Sequence, residues 1–172
     1  MQLFLKTPPA TEPLTLEEVK TYLRLQSDEE DGFLHTLIAS ARAYVEGETG
    51  RALIKQKWLM EIKPPYPSLS PLVKGTGKSL EIDLPCPPLL EVETIKVGKN
   101  DVPFTTVESK IKLPLFAWDK ELSITYWAGY GETCESIPPS LKMAVLMATR
   151  FFYDNQKVDL PMLRPFKVLR IV

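Results

Sequence analysis

The sequence predicts an α+β fold: helices from both ends of the chain pack together, with an inserted antiparallel β-block and an extended C-terminal tail. Three observations carry this prediction. Apolar residues recur at helical spacing over 14–50 and again over 138–154, a pattern that puts them on one stripe of a helix. Between these segments the period drops to two, as in strands with one wet face. The last seventeen residues, QKVDLPMLRPFKVLRIV, are dense in large apolar side chains but broken by Pro161 and Pro165, so they form no helix of their own. The organisation expected is one domain over 1–172, with a helical pair at 14–50, a β insertion at 53–131, a last helix at 138–154 and a tail at 156–172.

The first helix opens at Thr15. Thr15-Leu16-Glu17-Glu18 is a capping box, and Leu14 can staple onto Val19 across it. Leu16, Val19 and Leu23 face the core. The second helix is expected from about Asp28 to Thr49, with Ser27 and Glu30 as its S-x-x-E box and the acidic run opposing the positive end of the helix dipole. A calcium loop is the competing reading of SDEEDGFL, but counting from Asp28 puts Phe33 at the sixth position and Ala39 at the twelfth. An EF-hand needs glycine and glutamate there. Leu34, Leu37, Ile38, Ala41 and Val45 form the stripe, Phe33 and Tyr44 flank it, and Gly50 suits the C-terminal cap. The last helix, opened by Pro138 and Pro139, carries Leu141, Ala144, Val145, Ala148 and Phe152, broadened by Met143, Met147 and Phe151. The two stripes are expected to bury against each other.

Ile54, Trp58, Met60 and Ile62 alternate with Lys55, Lys57 and Glu61 as a strand. Residues 63–78 hold four prolines and two glycines and read as a long loop. Shorter strands are expected at about 79–84, 91–97, 102–107 and 121–127, with Leu80, Ile82 and Leu84 on one face of the first and a turn at Gly98-Lys99-Asn100-Asp101.

Composition excludes several function classes. With 21 basic and 22 acidic residues the net charge is −1, which removes the simplest argument for a DNA-binding surface. Residues 1–50 carry four basic and nine acidic side chains, leaving 17 and 13 for the rest. No apolar run approaches the ~20 residues of a membrane span, and no signal-peptide pattern opens the chain, so the expectation is a soluble, unsecreted protein. Cys86 and Cys134 are too few for a disulfide framework and too far apart for a metal knuckle.

Motifs that resemble chemistry fail on context. Lys74-Gly75-Thr76-Gly77-Lys78-Ser79 looks like the end of a P-loop, but the glycine required five residues before Gly77 is Leu72. A strand pattern follows where a phosphate grip needs a helix N-terminus. Gly129-Tyr130-Gly131 reads as a bend. The single histidine, His35, lies among polar positions, and the carboxylate pairs sit at helix starts where capping explains them. No catalytic residue, cofactor or metal ligand is therefore assigned, and the chain reads as a non-enzyme.

The stretch LTLEEVKTYLRLQSDEEDGFLHTLIASARAYVEGETGRAL, residues 14–53, resembles the opening signature of the head–tail connector proteins of long-tailed phages and prophages. Thr15, Glu17, Glu18, Lys20, Leu23, Arg24, Asp31, Ala41, Val45, Glu46, Thr49, Gly50, Arg51 and Ala52 carry the resemblance. The later PCPPLLEVETI at 85–95, AGYG at 128–131 and the helix from Pro138 agree with it in order.

The resemblance implies a structural subunit that closes into a homo-oligomeric ring below the portal, a dodecamer if the family pattern holds. Such a ring extends the DNA channel and provides the tail-attachment surface. The partners implied are the portal protein, a tail-completion or stopper protein, and double-stranded DNA that passes without sequence-specific binding. The place implied is the head–tail junction of the virion, assembled in the bacterial host cytoplasm. Leu163, Arg164, Phe166, Lys167, Leu169 and Arg170 are assigned to partner docking, and Phe33, Tyr44 and Arg51 to the subunit interface. The tail is expected to be loosely placed in the isolated subunit and ordered against a neighbour. The alternative function is a ligand- or glycan-binding β module with Trp58, Trp118 and Trp127 as stacking candidates.

Overall fold

The computed structural model describes residues 1–63, 73–76, 79–107, 110–114 and 120–168. Contacts divide the chain into two compact units: a β unit built mainly on Met1–Pro8 and Lys55–Gly129, and a helical unit of Pro9–Ile54 and Tyr130–Leu169.

The helical unit is built on α1 (Leu16–Leu23), α2 (Asp31–Thr49) and α3 (Pro139–Tyr153). The α2 stripe of Leu34, Leu37, Ile38, Ala41 and Val45 is buried in one cluster with Leu141, Ala144, Val145 and Ala148 of α3. Helices α2 and α3 pack directly, as their matched apolar periods require. Leu14 and Val19 enter the same cluster, in keeping with the staple across the α1 cap.

The start of α2 differs from the expectation. Its N-cap is Glu30, which makes no side-chain cap bond, and the Ser27 hydroxyl accepts instead from the Glu29 N–H at 3.2 Å. Lys20 of α1 explains the difference. It pairs with Asp28 at 2.5 Å and with Asp31, so the acidic run folds around a cation before the helix begins.

The β unit holds two antiparallel sheets. The larger has the order β1-β2-β9-β5-β6, from β1 (Gln2–Thr7), β2 (Gln56–Ile62), β5 (Leu89–Val97), β6 (Asn100–Asp101) and β9 (Leu122–Ala128). The smaller has the order β3-β4-β8-β7, from β3 (Val73–Thr76), β4 (Ser79–Asp83), β7 (Thr105–Val107) and β8 (Lys110–Pro114). One row of the larger sheet runs Leu3, Met60, Ile124, Ile95 across four strands. Its last three members are almost completely buried.

Four strands, β1, β3, β6 and β8, are additions to the sequence reading. Strand β1 was not expected at all. Strand β3 lies inside the stretch expected to be loop, at a sheet edge where a glycine-containing strand needs a partner on one side only. Strand β8 alternates buried Ile111 and Leu113 with exposed Lys110 and Lys112. The strand expected over 102–107 survives only as β7: Pro103 has no N–H to give a ladder, and β6 falls within the turn expected at 98–101 and joins the other sheet. Ile82 and Leu84 are buried; the side chain of Leu80 lies outside the described residues.

Candidate interaction surfaces

The side chains of the 14–53 signature are used to fold the helical unit. The Thr15 hydroxyl accepts from the Glu18 N–H at 3.2 Å, and the Glu18 carboxylate accepts from the Thr15 N–H at 2.8 Å. The other Glu18 oxygen takes the Lys142 ammonium of α3 at 2.6 Å. Arg24 ends α1 in the left-handed conformation, φ 61°, and Gly50 ends α2 at φ 70°, where glycine carries no Cβ penalty. Glu46 binds the Arg42 guanidinium at 3.0 Å and accepts from the Leu53 N–H at 2.8 Å. Arg42 also reaches Glu12 at 2.8 Å. One carboxylate thus fixes both the end of α2 and the chain leaving it.

Two predictions follow from the α1 cap. Thr15→Ala is expected to cost about 1 kcal/mol in urea unfolding. Partial burial works against the charged form of Glu18, but the Lys142 ammonium and the Thr15 N–H together hold its carboxyl below the ordinary value of 4.5. Because the folded value is the lower one, this contribution is present above the unfolded value and is lost as pH falls below about 4.5. Lys142→Met is expected to shrink that part of the acid-unfolding profile, and an unchanged profile would count against the pair.

The later signature pieces interlock within the β unit. The Tyr126 hydroxyl donates to the Pro85 carbonyl at 2.9 Å, and the Gly129 N–H donates to the Pro88 carbonyl at 2.9 Å. Burial pushes the Tyr126 phenol far up, so it remains a donor.

The tail corrects an expectation. Far from being loosely placed, residues 158–168 lie on their own helical unit. Leu160 and Leu163 are buried, and Met162 and Phe166 pack against the same cluster. The Arg51 Nε donates to the Phe166 carbonyl at 2.7 Å and the Tyr44 hydroxyl to the Val158 carbonyl at 3.4 Å. The Val168 N–H donates to the Thr49 carbonyl at 2.8 Å. Prolines that forbid an α-helix permit the short 3-10 turn Pro161–Phe166, which places Leu163 inward. Of the residues assigned to partner docking, Leu163 is therefore core. Phe166 is half-buried, Lys167 is exposed and paired with Glu48 at 2.7 Å, and Arg164 is exposed. Leu169 and Arg170 lie outside the described residues. Of those assigned to the subunit interface, Tyr44 packs edge-on against Phe152. Arg51 is held by Phe166 and by the Tyr130 hydroxyl at 3.4 Å. Phe33 is 52% exposed.

Other surfaces are plain in their chemistry. An apolar groove of about 570 Å³ lies between α1 and α3, lined among others by Leu14, Tyr22, Met143 and Leu146. His35 is exposed, and among the described residues no group of three or more His, Cys, Asp or Glu side chains converges. Strand β3 carries Lys74, Gly75 and Thr76 and β4 begins at Ser79, so the P-loop-like run leads into a strand; Gly77 and Lys78 lie outside the described residues. Trp58 pairs with Tyr126 and Trp127 with Lys57, which points the two indoles to opposite faces of the sheet. Trp127 is covered by the Lys55 and Lys57 ammonium groups at 5.0 and 4.7 Å, and Trp118 lies outside the described residues. The two described tryptophans offer no common stacking platform.

Residues 13–74 match the family described as phage gp6-like head-tail connector protein. This chain resembles the head–tail connectors. Solved structures match the fold over the whole chain, beyond the stretch matched by the family. A chain in the neck of a native gene transfer agent particle, computed with C12 symmetry, aligns at TM-score 0.74 and 18% identity, covering 100% of this chain and 98% of that one. Chains from the virion of a native gene transfer agent particle, at 0.73 and 19%, and from the neck of an empty particle computed with C6 symmetry, at 0.72 and 18%, have the same coverage. No curated protein matches.

Proposed function

We propose that this chain is a structural, non-enzymatic connector subunit whose copies close into a ring below the portal of a phage-like particle, extend the DNA channel and present the surface to which the tail attaches. The observation that carries this is the connector signature over residues 13–74 on a fold matched along its full length by chains of particle necks. The place of action is the head–tail junction of the particle.

Charge supports the reading. A ring needs two different faces on each subunit that complement each other by rotation. The helical unit has 13 acidic and 9 basic side chains, and the remainder of the chain 9 acidic and 12 basic, an asymmetry suited to head-to-tail contact. Near neutrality overall suits a channel through which DNA slides, because each neutralised phosphate adds salt-dependent affinity that slows passage. Portal and stopper proteins are the partners this reading assigns to the two ends of the ring.

The test is removal of the gene from a particle-producing strain. DNA-filled heads without tails are expected, with joining restored when the chain is supplied in trans. Complete, tailed particles in its absence would overturn the proposal.

A further inference from the structure

We infer that copies of this chain join edge to edge through the larger sheet, strand β1 of one copy adding to the outer edge of β5 in the next. The inference rests on the ring reading and specifies the contact that closes it.

Both edges of this sheet are open among the described residues. Strand β1 pairs with β2 on one side only. Strand β5 is covered by β6 only at Lys96 and Val97, and Val102 occupies the Ile95 carbonyl. That leaves Leu89–Thr94 without an outer neighbour among the described residues. Proteins that stay monomeric blunt such edges with charge, proline or bulges. Here β1 reads QLFLKT and exposes Phe4 at 42% and Leu5 at 45%, while the open stretch of β5 exposes Leu90 at 44%. Lys6, at the register shift between Leu5 and Thr7, is the single charge on β1. The matching edge carries exposed Glu91 and Glu93; Glu93 also holds the Lys57 ammonium at 2.7 Å, and the pairing of this stretch with β9 shifts register between Leu89 and Glu91 and between Val92 and Thr94.

Strand direction selects a second copy as the occupant. Every pairing in the run β1, β2, β9, β5 is antiparallel, so the two outer strands run in opposite directions. A copy placed beside another in the same orientation, as rotation about a ring axis demands, therefore lays β1 antiparallel to β5 and continues the existing pattern. The apolar residues Phe4 and Leu5 meet the edge bearing Leu90, and Lys6 meets Glu91 or Glu93. A two-fold pairing of β1 with β1 is also antiparallel, but at full overlap it sets Lys6 opposite Leu3, and β1 carries no acid for either Lys6 to meet.

The experiment uses the full chain and two double variants at exposed positions, Phe4→Lys with Leu5→Lys and Leu90→Lys with Glu91→Lys, followed by sedimentation velocity over a wide concentration range. The wild-type chain is expected to self-associate and each variant alone to remain monomeric with an unchanged circular dichroism spectrum. A mixture of the variants is expected to stop at a 1:1 dimer, because the first retains only a competent β5 edge and the second only a competent β1 edge. Carbodiimide coupling of the wild-type chain supplies a readout that needs no variant. Lys6 and Glu91 of one copy are separated by three strand spacings, roughly 14 Å, so a zero-length link from Lys6 to Glu91 or Glu93 reports contact between copies. A monomeric wild-type chain, a variant that assembles like wild type, dimers of the β5 variant alone, or absence of the link would each overturn the inference. Tail-less heads on gene removal together with a monomeric wild-type chain would sink this contact and leave the connector reading standing.

Discussion

Ending the chain at Lys157 is expected to destabilise the helical unit by more than Leu163→Ala, which itself costs on the order of 2–5 kcal/mol. Leu163 is 1% exposed and Leu160 7%, and each fully buried leucine contributes about 1.5–3 kcal/mol relative to exposure. Truncation also leaves the Arg51 guanidinium without the Phe166 carbonyl and the Thr49 carbonyl without the Val168 N–H. These losses are larger than the single exposed pair between Lys167 and Glu48, which is worth little in water. Circular dichroism at 222 nm during heating should show a clear fall in the midpoint for both the truncation and Leu163→Ala. Melting indistinguishable from the full chain would mean that the tail is not part of the core.

Leu34→Ala is expected to cost about 2–5 kcal/mol, from lost burial and the cavity left behind. Leu34 is fully buried where α2 meets α3, while its neighbour Phe33 is half-exposed. Phe33→Ala should therefore stay within about 0.5 kcal/mol of the wild-type chain. The two units can be followed separately. All three tryptophans, at 58, 118 and 127, fall in the 55–129 stretch, so indole fluorescence tracks the β unit and the 222 nm signal tracks the helices. A shift in urea midpoint by circular dichroism, with fluorescence little changed, is the outcome consistent with a core confined to the helical unit. Equal costs for Leu34→Ala and Phe33→Ala would refute the packing described.

The helices were legible because their information is local. Capping at Thr15, apolar spacing on α2 and α3, and Gly50 at a left-handed cap are each written within a few residues. Ser27 failed as a cap because the deciding partner, Lys20, sits on the preceding helix, beyond the reach of an S-x-x-E pattern. Strand β1 escaped because an edge strand with nearly every side chain exposed has no buried face to create alternation. Strand β8 did carry a signal, KIKL, that four residues of period two make weak against a proline-rich surround. The tail could be read as needing burial, but not where. Apolar content announces that a segment must dock, while the receiving surface, here Thr49, Arg51 and Tyr44, is more than a hundred residues distant in sequence. The surface residues Phe33, Tyr44 and Arg51 illustrate the same limit: only the structure separates a side chain that is occupied internally from one that remains exposed.

The Tyr130 N–H donates to the Leu53 carbonyl at 3.2 Å, so the chain leaves and re-enters the helical unit at neighbouring points. This has a consequence during synthesis. Helix α2 ends at Thr49 and α3 begins at Pro139, so the partner of α2 emerges only after some ninety further residues, roughly 5–20 s later at ~5–20 residues per second. Through that interval the apolar face of α2 has no mate of its own, whereas β1 can pair with β2 and β3 with β4 as they appear, and β9 joins β2 to β5 shortly before α3 is made. Once they have done so, the long intervening stretch is already closed, and most of the loop entropy that would oppose bringing the two helices together has been removed. Late arrival of α3 and the tail makes nascent α2 the segment most in need of shielding, and chains stalled before about residue 139 should be the ones that chaperones retain.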